Sequence, residues 1–161
     1  MDINALKELF ADFGDFESLI EKIVPDLSKV LGWAELIVRL AIMAGPLLLL
    51  GTGLLYLLAP PKEANYSAGY RCYWGMSSLA AWRFTQKVAG IGWTLLGLVL
   101  TVVMGVLGVG LQGMEPMDMV WTAVKYLIWQ GGLVLVSRVI IGVIIFACFD
   151  RAGFPRREYY E

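Results

Sequence analysis

The stretch NYSAGYRCYWGMSS, residues Asn65 to Ser78, concentrates side chains able to do specific chemistry. Arg71 sits among Tyr66, Tyr70, Tyr73 and Trp74, and a guanidinium offers a planar fork of donors to a carboxylate, a phosphate or backbone carbonyls. Asn65 and Gly69 tolerate the positive φ that a tight loop demands. A second cation, Arg138, stands about midway along an apolar run from Met119 to Phe149. An arginine inside a bilayer costs about 2.5–3.5 kcal/mol on insertion scales unless it meets water or partners. Its candidate partners are Gln130, Ser137, Thr94, Thr101, carbonyls freed by a helix kink, an acid at a span end such as Glu35, or a bound anion or lipid head group. Two readings stand: a ligand or lipid contact, or a structural arginine that snorkels or bonds to carbonyls. Catalysis has little to draw on, because the chain has no histidine and only two, widely separated cysteines, Cys72 and Cys148. No nucleophile with a base, paired carboxylates or metal-ligand set converges in the sequence, so neither an enzyme nor a cofactor is expected.

The elements that must position these residues are membrane helices. Of 161 residues 58% are hydrophobic and 17% charged, with a mean hydropathy of +0.68, which places the chain outside ordinary soluble domains. Three runs are long enough to cross about 30 Å of hydrocarbon: Leu36 to Ala59, Val88 to Leu111, and one within Met119 to Phe149. The third is long enough to be tilted, to project from the bilayer, or to be broken near Gly131 and Gly132. Pro60 and Pro61 close the first run, Gly113 to Pro116 turns between the second and third, and Gly45-Pro46 frees a carbonyl and predicts a kink in the first.

Residues 1–34 differ, with apolar side chains at Leu6, Leu9, Phe10, Phe13, Phe16, Leu19, Ile20, Ile23, Val24, Leu27 and Leu31, a helical spacing of three and four. They read as short amphipathic helices divided near Gly14 and Pro25, lying in the membrane interface or on a partner protein. The fold class expected is therefore an all-α integral membrane protein: amphipathic helices at 1–34, a three-span domain at 35–149, and a tail at 150–161. Orientation follows from the basic residues. Lys62, Arg71, Arg83 and Lys87 in the first connection and Arg151, Arg156 and Arg157 in the tail outnumber Lys125 in the second connection. The rule that basic loops stay inside places residues 60–87 and the C-terminus in the cytoplasm and the N-terminus outside.

Within the loop, Tyr66, Tyr70, Tyr73, Trp74 and Trp82 can be read as an interfacial aromatic belt, or with Asn65, Gly69 and Arg71 as a compact plug folded into the membrane surface. Ser77 or Ser78 suits an N-cap for the second span. Along that span Gly90, Thr94, Gly97, Thr101, Gly105 and Gly108 fall on one helical face. Such a face packs either on another helix of the same chain or across a homodimer seam.

The residues Asn65, Gly69-Tyr70-Arg71, Trp74, Ser77-Ser78, Trp82, Thr85 and Gly90 resemble the signature of the SdpI family of bacterial membrane proteins, with spacing that holds without gaps from Asn65 to Trp82. Cys72 and Tyr73 replace the family's usual Thr-Pro, and Leu79 stands where an acid is common. The resemblance implies a multi-pass protein of the bacterial cell membrane. Its namesake gives immunity to a secreted antimicrobial peptide and acts as a sensor that holds a repressor protein at the membrane. The function expected is thus immunity or signal transduction by a protein that binds a peptide toxin or lipid-like ligand. The alternatives are an assembly or scaffold subunit that docks another membrane protein, and a small oligomeric transporter component. Direct contact with nucleic acid is not expected.

Overall fold

A computed structural model describes residues 27–64 and 68–156. Among the described residues three α-helices make up the fold: α1 over Leu27–Leu58, α2 over Leu79–Val109 and α3 over Pro116–Cys148. A single 3₁₀ turn at Trp74–Met76 lies in the first connection, and among the described residues the only β pairing is an isolated bridge between Phe149 and Pro155. Helices of 31 to 33 residues are roughly 46–50 Å long, and each has a stretch long and apolar enough to cross a membrane. The chain is an all-α, three-span membrane protein. Of the amphipathic helices expected at 1–34, residues 1–26 lie outside the described residues, and residues 27–34 belong to α1 and continue directly into the first span.

Local chemistry explains the boundaries. At Pro60-Pro61 the pyrrolidine rings cannot continue α1. Ser78 is the N-cap of α2, its hydroxyl accepting the Ala81 N–H at 3.0 Å. Gly113, at φ 74°, turns the chain toward Pro116, which sits at the start of α3 where a missing N–H costs nothing. The third run is unbroken: α3 passes helically through Gly131 and Gly132, since surrounding hydrocarbon leaves the backbone no partner but itself.

Packing is uneven. α1 and α2 form a close antiparallel pair, while α3 leans on them with much less of its surface. The close approach runs through small residues. A Cβ at Gly97 would lie 2.5 Å from the Leu50 amide nitrogen, and one at Gly53 would collide with the Thr94 backbone. Gly90 faces Leu57 and Gly108 faces Ile42 across the same seam. Thr101 turns its hydroxyl back to the Gly97 carbonyl at 2.7 Å, and Gly105 is exposed. Most of the small-residue face is therefore occupied by α1 of the same chain.

Farther along, Pro46 has no N–H to offer the Ile42 carbonyl four residues earlier. Gln130 of α3 fills that role, donating its side-chain amide to Ile42 O at 3.0 Å while itself 5% exposed. Gly45 leaves it room, because a Cβ there would stand 2.7 Å from the Gln130 Oε1. One buried glutamine thus repairs the proline break and pins α3 to α1.

Candidate functional site

The first connection does not simply cap the bundle; it reaches into it. Gly69 adopts φ +99°, and a Cβ there would lie 2.8 Å from the Trp82 ring, so only glycine meets both the backbone and the space. That turn presents Tyr70 to Gln86, one turn beyond Trp82 on α2. The Tyr70 N–H donates to Gln86 Oε1 at 2.8 Å, and Gln86 Nε2 donates to the Tyr70 carbonyl at 2.9 Å. The amide side chain acts like one residue of a neighbouring strand, satisfying both backbone groups in a buried position. Gln86 is completely buried, as are Trp82 and Thr85. The Trp82 indole donates to the Pro61 carbonyl at 2.9 Å, tying the end of α1 to the start of α2.

From this clamp the Tyr70 ring projects between the helices. It packs edge-on against Trp93 at 5.2 Å, and Trp93 in turn meets Tyr56 at 5.8 Å. The phenol donates to the backbone carbonyl of Arg138 at 3.2 Å, and the Arg138 guanidinium lies 5.8 Å from the Tyr70 ring centre. Ten residues of α3 separate Arg138 from Cys148, so the tyrosine contacts the helix roughly 15 Å below its loop-side end. Tyr70 is 4% exposed.

Arg138 also lines a groove of about 600 Å³ between α1 and α3, walled by Pro46, Leu49, Thr52, Gln130 and Val134. Several of the protein groups expected to meet its guanidinium are engaged elsewhere: Ser137 bonds to Val134 O, Thr101 to Gly97 O, Glu35 pairs with Arg39, and the kink-freed carbonyl is taken by Gln130. These groups are claimed by their own helices or by another repair, and the guanidinium lies against Tyr70.

The rest of the motif serves the loop. Trp74 packs edge-on against Phe146 at 5.0 Å, and Cys72 Sγ accepts the Gly75 N–H at 3.2 Å. Burial pushes the Cys72 thiol above its ordinary pKa, with the Gly75 bond acting in the opposite direction. Ser78 Oγ donates to the Gly153 carbonyl at 2.8 Å, and Ser77 lies beside it. The tail folds back through Asp150, whose carboxylate accepts the Ala152 and Phe154 N–H groups, and through Arg156, which bonds to the Phe149 carbonyl. Arg71 is exposed and makes no hydrogen bond or ion pair among the described residues; Asn65 and Tyr66 lie outside them.

The interfacial belt reading fails for Trp82 and Tyr70, which are interior residues; among the described belt residues only Tyr73, at 75% exposure, stands out from the loop as a belt residue does. Gln86 is a site residue that the motif does not single out, and Gln130, a candidate partner of Arg138, serves the Ile42 carbonyl instead. Their signal was an uncharged amide inside an apolar helix, where it must find backbone partners. No curated protein and no solved structure shows significant similarity to the chain. The model of the SdpI/YfhL protein family matches residues 61–149, from the plugged loop through α3. With more than half of its length covered by that match and the loop motif built into the bundle, the chain belongs to the SdpI/YfhL protein family.

Proposed function

We propose that this protein senses, and protects against, a peptide or lipid-like antimicrobial that enters the groove between α1 and α3, and that Tyr70 relays occupancy to the loop. The observation that carries this reading is the shared residue: Arg138 lines the groove with its side chain and receives the loop's Tyr70 hydroxyl on its carbonyl. A carboxylate or phosphate arriving in the groove would compete with the Tyr70 ring for the guanidinium, since a full charge attracts it more strongly than an aromatic face at low dielectric. The loop would then move, carrying Arg71 with it. With the charge bias placing that loop in the cytoplasm, the exposed Arg71 is the surface a repressor protein would meet. The scaffold alternative draws on the small-residue face of α2 and on the amphipathic N-terminal region; α1 covers most of that face, and residues 1–26 lie outside the described residues.

The test is survival of a sensitive bacterial strain expressing the wild type, Arg138→Leu or Tyr70→Phe, challenged with a panel of membrane-active peptides. Protection by the wild type and its loss in Arg138→Leu at equal membrane abundance is the expected result. A wild type that protects against no peptide in the panel, or an Arg138→Leu protein that protects as well as wild type, refutes the reading.

A further inference from the structure

At the loop-side end of α1 and α2 lies a second cleft, of about 360 Å³, lined by Tyr56, Leu57, Pro60, Pro61, Lys62, Arg83 and Lys87. Its apolar wall is the last turn of α1 and the prolines that end it. Its other wall carries three cations, Arg83 and Lys87 being one helical turn apart on the same side of α2. All three are exposed, none makes a hydrogen bond or ion pair among the described residues, and no carboxylate lines the cleft. The wall is held in place, because the Trp82 indole bonds to the Pro61 carbonyl immediately beside Arg83.

This arrangement is electrostatically adverse as it stands. Arg83 and Lys87 lie in the second and third turns of α2, whose first turn contains no acid to offset them. Three like charges there call for an anion. The cleft lies where two membrane spans end, so the anion that fits is one attached to hydrocarbon. The methylene stems of Lys62 and Lys87 can follow the apolar wall while their ammonium groups meet the head group, and Tyr56 and Leu57 continue toward the bilayer interior.

We infer that this cleft binds the phosphodiester head group of an anionic phospholipid, with Lys62, Arg83 and Lys87 holding the phosphate and Tyr56 and Leu57 lying along an acyl chain. The site is separate from the Arg138 groove, and its failure would leave the proposed function untouched.

The full chain purified in a neutral maltoside detergent is examined by native mass spectrometry with phosphatidylglycerol or phosphatidylcholine added at equal concentration. The wild type should retain phosphatidylglycerol preferentially. Each cation neutralised in Lys62→Gln, Arg83→Gln and Lys87→Gln should lower that retention roughly fivefold, and the triple variant should treat the two lipids alike. Lys62→Arg with Lys87→Arg should keep the preference, which separates loss of charge from loss of fold. Equal retention of both lipids by the wild type, an undiminished preference in the triple glutamine variant, or displacement of the lipid by millimolar inorganic phosphate would overturn the assignment.

Discussion

Replacing Gln86 by leucine tests the clamp that seats the loop. The new side chain has nearly the same volume but can neither accept the Tyr70 N–H nor donate to its carbonyl, which the wild type does at 2.8 and 2.9 Å. Both backbone groups are then left in a buried position, where an unsatisfied donor or acceptor costs about 1–3 kcal/mol. The summed loss is about 2–6 kcal/mol, unless the loop withdraws and lets water in. Each kcal/mol is worth roughly 2–4 °C in a chain of this size, so the unfolding midpoint should fall by at least about 4 °C. Thermal unfolding in detergent, followed by tryptophan fluorescence, reports the first outcome, because Trp82 and Trp93 border the clamp. Limited proteolysis reports the second, since release of the Tyr70 backbone frees the chain around the already exposed Arg71 to enter the trypsin active site. A Gln86→Leu protein with an unchanged midpoint and an unchanged cleavage rate would show that the paired amide bonds do not hold the loop in place.

A double-mutant cycle examines the proline repair. Gln130→Leu should destabilise the bundle by about 1–3 kcal/mol by orphaning the Ile42 carbonyl, whereas in a Pro46→Ala background, where residue 46 supplies its own N–H, the same change should cost much less; equal costs in the two backgrounds would refute the coupling. Gly69→Ala should lower stability by roughly 1–3 kcal/mol, from a φ of +99° and a Cβ placed against Trp82, as measured by the same melting assay. At Cys72 the folded chain binds the thiol proton more tightly than the unfolded one, so its stabilising contribution is present below the thiol's ordinary pKa and fades as pH rises through and beyond it. Alkylation of Cys72 at mildly alkaline pH should accordingly be slower in the folded protein than in detergent-denatured chain, and equal rates would contradict the buried thiolate penalty.

Much of the architecture was legible in residue order because a bilayer imposes one-dimensional rules. A helix must run far enough to cross the hydrocarbon, and proline and glycine mark where it stops. Those rules placed three spans and the turn at Gly113 to Pro116, and a cap at Ser77 or Ser78 was visible because a capping hydroxyl serves an amide only a few residues away; the structure selects Ser78. The plugged loop was foreseeable from Asn65, Gly69 and Arg71 only as a possibility, and its use of Tyr70 and not Arg71 as the inward residue was not. Which residue points inward depends on a backbone turn at Gly69 and on an amide sixteen positions later.

Length, hydropathy and local stop signals are properties of contiguous chain, and from them the sequence alone determined a three-span, all-α membrane protein with a structured first connection. Tertiary structure decided the partners: Gln86 with the Tyr70 backbone, Gln130 with the carbonyl that Pro46 abandons, Arg138 with the Tyr70 ring, and α1 against the glycine face of α2. The physical reason is that a polar group in hydrocarbon must be satisfied, yet which of several distant groups satisfies it depends on how the helices cross and rotate. That geometry exists only once the helices have met.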